Sequence, residues 1–159
     1  MWPVDRSKIV EKSVRLPPNP GSEGLKSPIG IDSDDDGVRD DIQLLIAKLE
    51  PTDKDKRSAW RQMAIALQYA IEFSDSRYGA GSQMEAFSNA YDCVSALYTE
   101  DHKQFYKHMD LLESMLTNTY KRARAYVKAN AAVSGGTFSS EDDFRTCAFE
   151  VSSAKVPKK

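Results

Sequence analysis

Apolar residues recur with the spacing of an amphipathic helix from residue 42 onward. Ile42, Leu45, Ile46 and Leu49 follow the i, i+3, i+4, i+7 rule, and Pro51 ends that run. This pattern predicts a first helix of about ten residues with one buried face.

The second helical pattern is wider than the first. Thr52 or Asp53 can cap its start. Its apolar positions cover much of the helix surface; they are Trp60, Met63, Ala64, Leu67, Ala70 and Ile71, widened by Ile65, Tyr69 and Phe73. A stripe of this width predicts a central helix with neighbours on two sides.

Two further helices and a short last element follow. A third helix, which Ser82 can cap, carries the apolar residues Met84, Phe87, Tyr91, Val94 and Tyr98. A long fourth helix begins after Thr99 and ends at Gly135; one of its faces carries Phe105, Met109, Leu112, Leu116, Tyr120, Ala123 and Val127. Ser140 opens a short last helix or turn that contains Phe144, Cys147 and Phe149. Because no alternating strand pattern occurs, we predict an all-α, bundle-like domain of four to five helices.

Proline and glycine are frequent in the first 30 residues, which hold five prolines and three glycines. This composition predicts an extended or irregular N-terminal arm rather than a helix. We therefore divide the chain into an extended arm over 1–30, an acidic calcium-binding loop over 31–41, a helical domain over 42–151 and a flexible tail over 152–159.

Composition argues against two classes of function. The 159 residues include 22 Lys and Arg against 24 Asp and Glu, which gives a net charge of −2. A dedicated nucleic-acid binder would carry a basic excess. No apolar run approaches the roughly 18 residues of a membrane-spanning helix. We expect no nucleic-acid partner and no membrane insertion.

The acidic loop is the most informative segment of the chain. From residue 31 to residue 41 it holds six aspartates and one arginine, a local charge of about −5. If Asp32 is counted as position 1, carboxylates fall at positions 1, 3 and 5, and glycine at position 6 permits a sharp turn. Alternate residues of such a loop converge on one point, and Ca²⁺ takes six to eight oxygen ligands. We predict a calcium site with the ligands Asp32, Asp34, Asp36, the Val38 carbonyl, Asp40 and Asp41.

Two other interpretations of this loop stay open. Acidic residues at a helix N-terminus are favoured by the helix dipole without any metal ion. A solvated acidic turn would also form without a metal ion. Against both stands the mutual repulsion of six aspartates, which would destabilise the loop in the absence of a cation.

The spacing of the loop resembles the DxDxDG calcium loops of EF-hands, dockerins and thrombospondin type 3 repeats, over about a dozen residues. An EF-hand has a helix before the loop, an apolar residue at position 8 and a bidentate Glu at position 12. This chain has Ser27-Pro28-Ile29-Gly30, Arg39 and Gln43 at those places. The segment is therefore more similar to the loop-then-helix sites of bacterial exported proteins, including a short form in periplasmic solute-binding proteins and small uncharacterised proteins of Gram-negative bacteria. That resemblance implies that Asp40 and Asp41 complete the shell and that Gln43 is unnecessary as a ligand.

We expect the ion to be structural. The loop has no partner loop, so a calmodulin-like opening switch is not expected. The ion would instead fix the arm over 1–30 against the start of the first helix.

The two cysteines, Cys93 and Cys147, both lie beside apolar residues. One disulfide between them would tie the C-terminal segment to the body of the domain, and two separate buried thiols are the alternative. A disulfide favours an oxidising compartment. If the disulfide forms, we expect a periplasmic or secreted protein. The first residues lack the apolar core of a signal peptide, so the export signal would then be absent from this sequence; a natural cytosolic start would look the same.

Other candidates for catalysis or metal binding are weak. His102 and His108 lie six residues apart, which gives no i, i+4 zinc pair, and we expect both at the surface. Cys93 with a histidine would imitate a thiol nucleophile, but a disulfide or a buried thiol explains this cysteine better. Acid–base pairs are available among Glu85, Glu100 and Glu113, as in any helical protein.

The long fourth helix supplies aromatic and basic residues. Together with the third helix it provides an aromatic stripe that we expect in the core: Phe87, Tyr91, Tyr98, Phe105 and Tyr120. Its last turns carry a basic cluster from Lys121 to Lys128, which we interpret as a solvated helix end; docking of an acidic partner is the alternative.

These expectations combine into one prediction of function. We predict a non-enzymatic exported protein that binds calcium structurally and acts through a surface that contacts another protein. One alternative, by analogy of fold, is a periplasmic immunity protein that neutralises a secreted bacterial toxin. The other is an enzyme of the cell-wall hydrolase type, which would need a concave pocket with convergent carboxylates.

Overall fold

The computed structural model describes residues 15–76, 80–137 and 143–156. Within these ranges the chain forms five α-helices, two short 3-10 turns and no strand. The helices are α1 (Asp40–Leu49), α2 (Lys54–Glu72), α3 (Ala80–Ala96), α4 (His102–Leu116) and α5 (Tyr120–Ala132), and the 3-10 turns span Gly21–Leu25 and Phe144–Thr146. The prediction of an all-α domain with up to five helices is therefore confirmed. None of the described helices combines the length and apolar character that crossing a bilayer requires.

Helix α2 is the centre of the domain, as its wide apolar stripe predicts. The Asp53 side chain caps it by accepting the backbone N–H groups of Asp55 and Lys56, each at 3.1 Å. All four other helices pack on α2. Trp60 is fully buried and contacts the aromatic rings of Tyr98 and Phe105, both at 5.9 Å between centroids. A single aromatic cluster thus joins α2 to α4 and to the segment that follows α3.

The predicted long fourth helix is wrong, because the chain turns at residues 117–119 and forms α4 and α5 instead. The Thr117 hydroxyl donates to the Glu113 carbonyl at 2.7 Å, and the Thr119 hydroxyl caps α5 by accepting the Arg122 N–H at 3.3 Å. These hydroxyls form hydrogen bonds with backbone groups at the end of α4 and at the start of α5, and these bonds stabilise the turn. As a result Tyr120 is 78% exposed, and its predicted place in the core is also wrong.

The described part of the arm lies against α5, and a buried arginine holds it there. The Arg122 guanidinium, 0% exposed, donates to the carbonyls of Gly24 at 2.5 Å, Ser27 at 3.0 Å and Pro28 at 3.1 Å. We interpreted the basic cluster from Lys121 to Lys128 as a solvated helix end, and for Arg122 this interpretation is wrong. The backbone at Gly30 has φ +75°, and a Cβ there would lie 2.9 Å from Arg122 Nη2 and from Arg39 Cδ, so this position requires glycine.

Arg39 makes the second arginine contact that joins distant segments. Its side chain is 2% exposed and donates to the carbonyls of Met115 at 3.2 Å and Leu116 at 3.4 Å, at the C-terminal end of α4. Carbonyls at a helix C-terminus lack partners inside the helix and carry the negative end of its dipole. Arg39 therefore fixes the end of α4 against the start of α1.

The predicted disulfide between Cys93 and Cys147 is confirmed, with a Cα–Cα distance of 4.8 Å. It joins α3 to the C-terminal segment. The side-chain amide of Gln62 on α2 binds the backbone on both sides of Cys147. It donates to the Thr146 carbonyl and accepts the Ala148 N–H, both at 2.9 Å. The residues over which we predicted the opening of a short last helix, 138–142, lie outside the described ranges.

Contacts with the start of α2 continue along the C-terminal segment. The Ser152 N–H donates to Asp55 Oδ2 at 3.3 Å, and Lys155 forms ion pairs with Asp53 and, at 3.2 Å, with Asp55. Residues 157–159 of the predicted flexible tail lie outside the described ranges. The described end of the chain is thus attached to the centre of the domain by a disulfide, an amide and an ion-pair cluster.

Candidate metal centre

The acidic loop folds around its first aspartate. Asp32 accepts the backbone N–H of Asp36 at 3.1 Å and that of Gly37 at 2.8 Å. Gly37 has φ +87°, a conformation that suits the turn which the sequence predicts at this position. The loop closes where the Asp40 N–H donates to the Ile31 carbonyl at 2.8 Å, immediately before α1.

The loop brings together three of the six predicted ligands. Asp32, Asp34 and Asp40 each offer one carboxylate oxygen, and these oxygens lie within 4.8 Å of one another. Two oxygens on opposite sides of one Ca²⁺ would be about 5 Å apart, because each Ca–O distance is roughly 2.3–2.6 Å. Asp40 is buried in the first turn of α1, whereas Asp32 and Asp34 are exposed. The cluster therefore opens to solvent on one side.

Two other predicted ligands are directed to arginines instead. Asp36 accepts from Arg61 on α2 at 2.6 Å and from the Val38 N–H at 2.9 Å. Asp41 accepts from Arg39 at 2.9 Å and 2.5 Å. These pairs compensate two of the negative charges that make the loop so acidic. Val38, whose carbonyl we predicted as a ligand, has its side chain fully buried in the core.

Electrostatics at Asp32 reflect both burial and neighbouring acids. Loss of hydration of its carboxyl inside the folded loop raises the pKa of Asp32, and the charge of Asp36 and a hydrogen bond with Asp34 raise this pKa further. The N–H groups of Gly37 and Asp36 act in the opposite direction. A cation at the cluster would favour the ionised carboxylates.

Gln43 contacts the acidic cluster, although the resemblance made it unnecessary as a ligand. It occupies position 12 of the loop, is 4% exposed, and donates through Nε2 to Asp34 Oδ2 at 3.4 Å. Its Oε1 atom is buried and has no hydrogen-bond partner among the described residues. Such an unsatisfied oxygen costs about 1–3 kcal/mol. A 180° rotation of the amide would exchange the two atoms and direct Oε1 toward the cluster.

The two histidines occupy different environments, and the predicted surface position of His108 is wrong. His102 is exposed, but His108 is only 5% exposed, because it shares the buried face of α4 with Phe105 and Leu112. Its Nδ1 lies 3.3 Å from Glu50 Oε1, and burial lowers the pKa of His108. The spacing of three residues after Phe105 was the signal for this position.

His108 belongs to a closed polar network. The Tyr98 hydroxyl donates to Glu50, accepts the Trp60 indole N–H at 2.8 Å and lies 3.3 Å from His108 Nδ1. The most exposed member of this network, Glu50, is only 7% exposed. A substrate would not reach these groups, so the network is a structural feature of the core.

The other candidate residues for catalysis are in a disulfide, in a hydrogen bond with a tyrosine, or exposed at the surface. Cys93 is in the disulfide and is no free thiol. Glu113 accepts from the Tyr126 hydroxyl at 2.9 Å, while Glu85 and Glu100 are exposed. A cavity of about 160 Å³ between α2, α3 and α5 is lined mainly by apolar side chains such as Met84, and the described residues that line it include no carboxylate and no histidine.

Comparison with known proteins found no matching family model, no similar chain among the curated proteins and no similar solved structure.

Proposed function

We propose that this chain is an exported, calcium-binding helical protein in which the ion is structural and which acts through contact with another protein. One observation carries the calcium assignment. Three carboxylates converge in the acidic loop, and the amide of Gln43, with a buried oxygen that lacks a hydrogen bond, contacts one of them. A cation at this place would be attracted by the carboxylates and would satisfy the amide oxygen.

The chemistry of these groups favours a hard cation. Among the described residues, the cluster consists of the carboxylates of Asp32, Asp34 and Asp40, without a thiol or an imidazole. Oxygen-only sites suit calcium and magnesium, whereas zinc and copper sites use nitrogen and sulfur ligands. Calcium fits better than magnesium, because its coordination tolerates irregular geometry and the exposed side of the cluster admits water ligands.

The position of the cluster supports a structural role. Asp32 and Asp34 follow the arm, and Asp40 is the first residue of α1. An ion shared by the three would tie the end of the arm to the start of this helix, beside the contact between the Ile31 carbonyl and the Asp40 N–H. At a concentration 100 times its dissociation constant, a ligand stabilises the folded state by about 2.7 kcal/mol.

Export is supported by the disulfide between Cys93 and Cys147, because such bonds persist in oxidising compartments. Those compartments also fit a site with exposed ligands. Calcium sites of extracellular modules bind with dissociation constants of about 10⁻⁴–10⁻³ M. A weak, solvent-open site of this kind would be occupied where the free calcium concentration exceeds these dissociation constants.

The experiment is a calorimetric titration with calcium and with magnesium, paired with thermal melts in calcium and in EDTA. We expect calcium to raise the melting temperature of the wild type by about 5–10 °C at 100 times its dissociation constant, since 1 kcal/mol corresponds to roughly 2–4 °C at this size. Asp34→Asn removes a carboxylate of the cluster and should abolish most of this shift. The matched control, Asp35→Asn, removes one charge from the same loop and should retain it.

Gln43→Leu separates ligation from stability. We expect this variant to bind calcium more weakly, while its stability in EDTA stays equal to or above that of the wild type, because the unsatisfied oxygen is gone. Absence of a calcium-selective shift in the wild type would refute the assignment. Equal weakening by Asp34→Asn and Asp35→Asn would show that the loop only attracts cations by its overall charge.

A further inference from the structure

Asp36, the carboxylate at position 5 of the acidic loop, is held by the central helix. Arg61 on α2 is 2% exposed and donates through Nη2 to Asp36 Oδ2 at 2.6 Å. The other carboxylate oxygen of Asp36 accepts the Val38 N–H at 2.9 Å. Both oxygens therefore have partners outside the cluster of three carboxylates that the described residues form.

The backbone of Asp36 lies beside that cluster all the same. Its N–H donates to Asp32 Oδ1 at 3.1 Å. Besides loss of hydration, the charge of Asp36 raises the pKa of the Asp32 carboxyl, so the two carboxylates lie close enough to interact. Because a side chain changes rotamer without a change of the backbone, Asp36 can turn from Arg61 toward an ion bound beside Asp32.

The contact with Arg61 has two consequences for calcium. A buried carboxylate without a cation beside it is strongly destabilising, and the Asp36 side chain is only 9% exposed. Arg61 compensates this charge, so the fold of the loop does not require an ion at Asp36. The same contact keeps a carboxylate away from calcium, which binds more tightly as the number of charged ligands increases.

We propose that Arg61 sets the calcium affinity of the acidic loop by competing with the ion for Asp36. This inference rests on the proposed function and names the residue that regulates its site. While Arg61 holds Asp36, the ion has only the three carboxylates of the cluster. A fourth carboxylate would join the ion only if the buried pair of Asp36 and Arg61 separated. The competition therefore keeps the site weak and lets the loop stay folded when the ion leaves.

The test compares calorimetric calcium titrations of the wild type and of Arg61→Met. Methionine keeps much of the apolar length of arginine but leaves Asp36 without its cation. We expect the dissociation constant for calcium to fall by about tenfold or more, because Asp36 becomes a ligand. In EDTA the same variant should melt at a lower temperature than the wild type, since a buried carboxylate is left uncompensated. A purely structural arginine would lower stability without strengthening calcium binding.

Arg61→Lys is the second variant, and it keeps the experiment decisive if Arg61→Met does not fold in EDTA. Lysine retains the positive charge that compensates Asp36, so we expect this variant to fold. It lacks the planar, rigid donor group of arginine and should hold the carboxylate less firmly. We therefore expect calcium to bind about threefold more tightly than in the wild type. Since the net charge is unchanged, this gain cannot come from overall charge.

Two controls separate the competition from a general effect of charge. Asp36→Asn combined with Arg61→Met has the net charge of the wild type but no carboxylate to contribute, and it should lose the gain in affinity. Lys48→Met removes one cation from the exposed side of α1. Because exposed charges interact weakly across solvent, we expect its dissociation constant to stay within about twofold of the wild-type value.

Gln68→Leu is the control for a loosened loop. The Gln68 amide on α2 donates to the Gly37 carbonyl at 3.0 Å and accepts the Arg39 N–H at 3.1 Å. Its loss weakens the attachment of the same loop to the same helix but frees no carboxylate. We therefore expect this variant to melt at a lower temperature without binding calcium more tightly. A gain equal to that of Arg61→Met would show that loosening alone strengthens the site.

Unchanged or weaker calcium binding in every folded Arg61 variant would overturn the inference, and so would an equal gain in the double variant, in Lys48→Met or in Gln68→Leu. If the wild type binds calcium and loses it in Asp34→Asn while the Arg61 variants bind as the wild type does, only the competition is refuted. Calcium binding by Arg61→Met but not by the wild type would support the competition and refute the proposed function. No binding by either would refute both.

Discussion

Replacement of Gly30 by alanine tests whether the two buried arginines fix the junction of arm and loop. The change adds one methyl group at a position with φ +75°. A left-handed backbone conformation costs an ordinary residue about 1–2 kcal/mol. The new Cβ would also lie 2.9 Å from both Arg122 Nη2 and Arg39 Cδ. Neither side chain can retreat without loss of a hydrogen bond to a main-chain carbonyl.

The expected loss of stability follows from these two contributions. Breaking one hydrogen bond of a buried guanidinium costs about 1.5–3 kcal/mol. We therefore expect Gly30→Ala to lower the free energy of unfolding by about 2.5–5 kcal/mol. Gly135→Ala is the matched control, because Gly135 has φ +88° and no atom of the described residues lies within 4 Å of its added Cβ. That variant should lose only about 1–2 kcal/mol.

Urea unfolding followed by circular dichroism, in EDTA so that no metal contributes, measures both variants. Linear extrapolation gives each free energy of unfolding, and an unchanged slope confirms a comparable unfolded state. The difference between the variants isolates the contact with the arginines. Equal losses of unfolding free energy in Gly30→Ala and Gly135→Ala would show that the two arginine side chains move aside at no cost. That result would refute the claim that they fix the junction of arm and loop.

Three further predictions concern the core and its crosslink. Replacing both Cys93 and Cys147 by alanine removes a crosslink over a separation of 54 residues; we expect a loss of about 4 kcal/mol in thermal melts, and a loss under about 1 kcal/mol would contradict the loop-entropy argument. Tyr98→Phe removes a buried hydroxyl with two strong partners and should cost about 1–3 kcal/mol in urea unfolding, so an unchanged midpoint would count against the network. Burial lowers the pKa of His108, so its unfolded state binds the proton more readily and stability should fall as pH drops below about 6.5. His108→Asn should flatten this dependence between about pH 6.5 and 5, whereas His102→Asn, an exposed control, should not.

The fold was largely predictable because periodicity is a local property. The wide stripe of α2 indicated a central helix, and Asp53 caps it as expected. The break between α4 and α5 was missed because Tyr120 continues the apolar spacing of Leu116. The turn depends on the hydroxyls of Thr117 and Thr119, and a periodicity argument gives no weight to such groups.

The geometry of the acidic loop was predictable only in part because some of its carboxylates contact distant residues. The spacing of the loop correctly places Asp32, Asp34 and Asp40 together. Asp36 is drawn away by Arg61, which is 25 residues further along the chain, and no local pattern announces that contact. Gln43 is different, because its place at position 12 of the loop is visible in the sequence, and its contact with Asp34 is one that a ligand at this position would make.

The clamp of Arg122 on the arm has a consequence for how the sequence can vary. This side chain reaches the carbonyls of Gly24, Ser27 and Pro28, which are main-chain atoms that almost any residue would offer. The identity of the side chains over 24–28 is therefore weakly constrained by this contact. Their number is strongly constrained, because one inserted or deleted residue would move the carbonyls away from the guanidinium. Homologues of this chain should keep the number of residues from this segment to Gly30, and they should keep the arginine on α5. The side chains over 24–28 should vary more freely.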